Sequence, residues 1–131
     1  MTNTLIPKEI DEQAMVCQYL ELLKTRGHKI IYTATAQSTY TKSWSQKAQN
    51  KKLGVHRGLP DLVVIIDDTL VFLEIKRLKM STTSAEQKVW NQHLKESGNH
   101  AYICKGASEA INILNDIIQV QKCLKQSKKQ L

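Results

Sequence analysis

Polar and apolar positions along the chain follow two rhythms. From Gly58 to Lys76 the letters read G-L-P-D-L-V-V-I-I-D-D-T-L-V-F-L-E-I-K. A short apolar run opens at Pro60-Asp61, a polar pair sits at Asp67-Asp68, and a second apolar run is broken by Glu74 and Lys76. Both runs are rich in Val, Ile and Leu and too short for independent helices, so the stretch predicts two strands joined by a tight turn. In the second run Val71, Leu73 and Ile75 point to one face, and Phe72, Glu74 and Lys76 to the other. A two-residue turn at Asp67-Asp68 pairs Ile66 with Thr69 and sets Asp61 opposite Glu74, on the same face. A three-residue turn would shift the register and turn Asp61 away unless a bulge restored it.

Elsewhere the period is helical. Glu9 to about Thr25 predicts a helix, entered after Pro7 and ended before Gly27. Glu12 lies four, seven and eleven positions before Val16, Tyr19 and Leu23, which puts it on the stripe that faces the core. It either meets a buried partner there or sits in an exposed first turn, where acids are favoured. His28 to Ala34 reads as a strand. Thr83 with Glu86 predicts a capping box for a helix running to about Ser97 and stopped by Gly98, with Gln87, Trp90, Asn91 and Leu94 on one face. A last strand, His100 to Lys105, precedes a helix from about Ser108 to Leu124 with a core stripe of Ala110, Ile111, Leu114, Ile117 and Ile118.

These elements predict an α/β fold: a mixed central sheet of about four strands flanked by about three helices, with a strand–helix–strand parallel crossover. A chain of 131 residues, 41% hydrophobic, buries one modest core. The expectation is one domain over 1–131, with its core at about 8–124 and frayed tails at 1–7 and 125–131. No apolar stretch is long enough to span a bilayer and the first ten residues are polar and mixed, so an intracellular, cytoplasmic protein is expected. Cys17, Cys104 and Cys123 form no cluster, which speaks against a zinc site or disulfide framework. His28, His56, His93 and His100 lie on different elements without ligand spacing.

Charge changes the picture most between Leu22 and Pro60. That segment carries eight of the nineteen Lys and Arg residues and no Asp or Glu, so it holds the whole of the formal +7 excess. Such asymmetry points to a polyanion partner. Thr35 to Arg57 is polar, lacks a clear period and is long for a loop, with a short helix possible around Ser43 to Asn50. Within it Tyr40 and Trp44 interleave with Lys42, Lys47, Lys51, Lys52, His56 and Arg57, as on surfaces that stack bases while holding a phosphate backbone. The aromatic pair serves equally well to anchor the loop on the core or on a second subunit.

The candidate chemistry lies in the hairpin. Cross-strand neighbours sit about 4.5–5.5 Å apart at Cβ, close enough for Asp61 and Glu74 to share one divalent cation. Charged groups on an apolar strand face need such a partner, or a pair such as Glu74 with Lys76 at a sheet edge. Two carboxylates beside a lysine are what metal-assisted phosphodiester hydrolysis requires: the metal polarises the phosphate and activates water, and the lysine orients that water or neutralises developing charge.

Pro60-Asp61, followed after twelve residues by Glu74-Ile75-Lys76, resembles the signature of the PD-(D/E)XK nuclease superfamily. The wider sequence is similar to its VRR-NUC branch. The similar segments are Gly58-Leu59-Pro60-Asp61-Leu62, Leu73-Glu74-Ile75-Lys76-Arg77, Ser84-Ala85-Glu86-Gln87 with Trp90 and Leu94, then Gly98 and Ala101-Tyr102-Ile103. The similarity covers roughly Ile10 to Ile118. It implies a restriction-endonuclease-like core in which Asp61, Glu74, the Ile75 carbonyl and a first-helix glutamate hold one or two Mg²⁺ or Mn²⁺ ions. Glu12 is the best match for that glutamate and Glu9 the fallback. Lys76 would position or activate the attacking water, and Gln87 would support the carboxylate and lysine. Arg77, next to the motif, joins the nucleic-acid contacts. Hydrolysis in this superfamily leaves a 5′-phosphate and a 3′-hydroxyl. Small stand-alone members imply branched DNA, such as a Holliday junction or flap, cut by a homodimer without a small-molecule cofactor. Alternatives are a nuclease on ordinary duplex or single strands, a non-catalytic nucleic-acid-binding module, or a structural protein whose acids form surface pairs.

Overall fold

The computed structural model of the protein describes residues 6–35 and 43–129. In chain order the elements are α1 (Glu9–Thr25), β1 (Ile30–Ala34), α2 (Trp44–Lys52), β2 (Leu62–Ile66), β3 (Thr69–Lys76), α3 (Ala85–Glu96), β4 (His100–Lys105) and α4 (Gly106–Lys129). The four strands form one sheet in the order β1-β2-β3-β4. β1/β2 and β2/β3 are antiparallel, and β3/β4 is parallel, with α3 as the crossover. The α/β class and the mixed four-stranded sheet agree with the periodicity of the sequence. No described helix is long and apolar enough to cross a membrane.

The hairpin register is the one a two-residue turn dictates: Ile66 pairs with Thr69 and Leu62 with Leu73. Asp67 takes a left-handed conformation, φ 51°, which Asp tolerates when its side chain bonds locally. Here Asp67 Oδ1 accepts from Lys29 N and Oδ2 meets His28 Nδ1 at 3.1 Å. Those bonds engage His28 and Lys29, so β1 begins at Ile30 rather than at His28.

One sheet face supplies Leu62, Val64, Ile66, Val71, Leu73 and Ile75 to the core. Val16, Leu20 and Leu23 of α1 and Ala110, Leu114, Ile117 and Ile118 of α4 pack into the same cluster. α3 lies against β4. Its less exposed face is Gln87, Trp90, Asn91 and Leu94, as the spacing predicts. On the opposite sheet face, register aligns Ile31, Ile65 and Leu70 in one row across three strands, and all three stay exposed.

Three further boundaries, in α3 and α4, differ from the sequence reading. The N-cap of α3 is Ser84, and its box is closed by Gln87 rather than by Thr83 and Glu86. α4 starts at Gly106, not Ser108, because Glu12 Oε2 accepts from Ala107 N at 2.5 Å and caps the helix from another element. α4 also continues to Lys129, past the predicted end at Leu124. Residues 125–129 are exposed Lys, Gln and Ser without Gly or Pro, and nothing in them stops a helix. Of the expected tail, 125–129 is therefore the end of α4, and 130–131 lie outside the described residues.

Candidate active site

Asp61 stands immediately before β2, and the ladder that pairs Leu62 with Leu73 brings it opposite Glu74. Backbone and side chain interlock there: Asp61 N donates to Glu74 Oε2 at 3.2 Å, and Ile75 N donates to Asp61 Oδ2 at 2.9 Å. The preceding loop is pinned from both sides. Thr35 N and Oγ1 donate to the carbonyls of Asp61 and Pro60 at 2.8 and 2.6 Å. Gly58, at φ +101°, approaches α3 so closely that a Cβ would lie 2.5 Å from the Glu86 carbonyl and 2.8 Å from the Trp90 ring. Only glycine fits both the conformation and the space.

Glu74 and Lys76 are buried, 4% and 8% exposed, at the end of β3. Buried charges need partners, and Gln87 supplies them to both. Its Nε2 donates to Glu74 Oε1 at 2.8 Å, while its Oε1 accepts from Lys76 Nζ at 3.0 Å. The same Oε1 accepts from Ser84 N in the capping box, so the start of α3 fixes the amide that holds the pair. Lys76 Nζ also lies 3.5 Å from Glu74 Oε1 and 3.9 Å from Glu9 Oε1. Burial, then the neighbouring Asp61 carboxylate, pushes the Glu74 carboxyl up to about 7, against the pull of Lys76. Two carboxylates are thus crowded where full ionisation of both is unfavourable.

The first-helix glutamates divide differently from the sequence reading. Glu12 is 4% exposed and turned to the N-terminus of α4, where the helix dipole and the Ala107 amide stabilise its charge. It is not gathered with Asp61 and Glu74; among the described residues no group of three metal-ligating side chains comes together. Glu9 is the acid of α1 that reaches Lys76. With Gln13 and Cys17 it lines an open cleft of about 590 Å³ that Asp61 also lines. The sequence signal was a stripe adjacent to the buried one: 9, 13 and 17 recur at four-residue spacing, beside the core positions 12, 16, 20 and 23.

Asp61 and Glu74 nevertheless suit a hard divalent cation. Mg²⁺ is commonly held by one or two carboxylates, the rest of its shell being water and substrate phosphate. A crowded carboxylate pair in which Glu74 is pushed up by burial and by its neighbour is the donor set that a cation relieves.

In the basic segment, no residue of α2 is buried. Trp44 is 82% exposed, with Lys47 Nζ 4.8 Å from its ring centroid. Lys47, Lys51, His56 and Arg57 line one cleft of about 270 Å³; Lys52 is exposed on the same helix. Tyr40 and Lys42 lie outside the described residues. Arg77, expected among the nucleic-acid contacts, is half-buried, and its guanidinium donates to Ile6 O at 3.4 Å. Trp90, read from sequence as part of a packing face, also borders an open cleft with His56 and Arg57.

No family model and no curated protein matches this sequence. Among solved structures, the chain is similar to one described as a VRR_NUC domain protein, with 21% identity and a TM-score of 0.66 over 88% of this chain and 91% of that one. The likeness establishes a VRR-NUC domain fold.

Proposed function

We propose that this protein is a divalent-metal-dependent nuclease that hydrolyses DNA phosphodiester bonds. The observation that carries the reading is the pairing of Asp61 with Glu74 across the hairpin, beside a lysine that one glutamine ties to the same carboxylate. Asp61, Glu74 and the Ile75 carbonyl would hold Mg²⁺ or Mn²⁺, with Glu9 the acid that α1 presents to the same cleft. When bound, the ion would polarise the phosphate and lower the pKa of a water at the site. Lys76 sits with its ammonium beside Glu74, where it can orient that water or balance the charge developing on the phosphate. Gln87 fixes both groups, so neither must reorganise during the reaction.

The basic α2 segment supports a polyanion substrate, because its cations are exposed and uncompensated by acids in the chain around it. From the family resemblance the substrate is branched DNA, a Holliday junction or flap, cut inside the cell by a homodimer. Cleavage of labelled four-way junction, flap, plain duplex and single-stranded DNA, each in Mg²⁺ and in EDTA, tests this. Metal-dependent cutting of the junction at symmetric positions is the expected result. Equal cutting of all four would leave a nuclease without structure preference, and tight binding without cutting would favour a non-catalytic binding module.

A further inference from the structure

A cleft of about 350 Å³ separates the loop before Pro60 from the first turns of α3. It is lined by His56, Arg57, Ala85, Glu86, Val89 and Trp90, and the catalytic reading leaves it unused. Its chemistry is mixed in a particular way. Trp90 and the exposed Val89 offer apolar surface, Arg57 and His56 offer donors, and Glu86 offers an acceptor. His56 and Arg57 also border the cleft formed with Lys47 and Lys51, so a basic track opens directly into this one. Gly58, packed against the Glu86 carbonyl and Trp90 ring, fixes the loop to α3 only three residues before Asp61.

We infer that this cleft receives one unpaired nucleobase of the nucleic acid whose phosphodiester lies at Asp61 and Glu74. An aromatic or apolar wall suits the face of any base, and single-strand binders combine such a wall with cations that track the backbone. Here the cations continue along α2. The Glu86 carboxylate can accept from an exocyclic amino group, as acids do from cytosine, so amino-bearing bases are favoured over thymine. The inference rests on the nuclease reading and adds a requirement for at least one unpaired nucleotide beside the cut.

The test is a binding measurement in EDTA, which does not depend on cleavage. Trp44→Phe leaves Trp90 as the sole tryptophan, since the chain has two. A single-stranded deoxycytidine oligonucleotide is titrated against an oligomer of the same length built of abasic sugar phosphates, and against polyglutamate. The expected result is saturable quenching of Trp90 emission by the cytidine oligomer, with affinity roughly ten-fold above that for the abasic oligomer. Ala85→Leu, which fills the cleft from an exposed helical position, should collapse that difference. Equal affinity for the two oligomers with unchanged emission would overturn the base site while leaving a phosphate-binding nuclease. Binding of neither oligomer would overturn the base site, the nuclease reading being decided separately by the cleavage assay in Mg²⁺, and equal quenching by polyglutamate would overturn it in favour of an acidic-peptide cleft.

Discussion

Gln87 accepts a hydrogen bond from Lys76 at 3.0 Å while closing the capping box of its own helix. One side chain therefore does two jobs, and the two have different readouts. Gln87→Ala should lower stability by about 0.5–2 kcal/mol, the range for a lost helix cap. It should also reduce cleavage by roughly 10–100-fold through loosened positioning of Glu74 and Lys76. Ser84→Ala removes the cap but keeps the amide, so it should reproduce most of the stability loss with a much smaller loss of cleavage. Equal activity in the two variants would contradict the positioning role.

The two glutamates of α1 should separate in the same manner. Glu12→Gln weakens a buried, charge-assisted bond to the start of α4 and should lower the melting temperature, with a cost of about 1–3 kcal/mol. Glu9, half exposed beside Lys76, should tolerate Gln with little change in melting temperature, while the Mg²⁺ concentration needed for half-maximal cleavage rises. Thermal melts and Mg²⁺ titrations of both variants check this. Metal dependence moving with Glu12 and not Glu9 would reverse the assignment.

Glu74 makes the metal-free protein sensitive to pH. Its carboxyl is raised from 4.5 to about 7 in the fold, so between those values the native state holds a proton that the unfolded chain has released. Stability from this group is then present below the unfolded value and lost as pH rises through the folded one, by on the order of 2–3 kcal/mol. Urea midpoints from pH 4.5 to 8 should fall accordingly, and Glu74→Gln should flatten the difference. Mg²⁺ binding near pH 6.5 should release protons, visible as a buffer-dependent heat. A wild-type profile parallel to that of Glu74→Gln would contradict the raised pKa.

Lys51 and Lys52 carry no catalytic role in this account. Changing both to Ala should weaken DNA binding and reduce the slope of log affinity against log salt by about 1 for each lysine that meets a phosphate. An unchanged slope would remove α2 from the binding surface.

Much of this arrangement was legible in the sequence because it is local. The hairpin has two apolar runs and a polar pair between them, so alternation and turn length alone put Asp61 opposite Glu74. α1 begins and ends where Pro7, the apolar stripe and Gly27 indicate. What sequence reasoning missed is what distant residues decide. α4 starts two residues early because Glu12, 95 positions away, caps it. The α1 acid at the cleft is Glu9 because the buried stripe faces the core and its neighbour faces the strand ends, a distinction that periodicity alone does not draw. Arg77 reads from sequence as a nucleic-acid contact beside the motif; its bond to Ile6 O joins it to an N-terminal segment with no pattern of its own. The capping residue of α3 was off by one, since Thr83 and Ser84 are chemically interchangeable caps and only the packing of Gln87 selects between them.

The central claim is that Asp61 and Glu74 hold a divalent cation for hydrolysis, and Asp61→Asn tests it most directly. The exchange keeps the shape of the side chain and a carbonyl oxygen able to accept from Ile75 N, while removing one of the two negative charges. Mg²⁺ binding by calorimetry and cleavage of labelled DNA should be measured on the wild type and the variant side by side. The account predicts metal binding and metal-dependent cleavage in the wild type, both lost in Asp61→Asn with the melting temperature of the metal-free protein held or raised. Full cleavage by Asp61→Asn, or wild-type cleavage undiminished in EDTA, would contradict it.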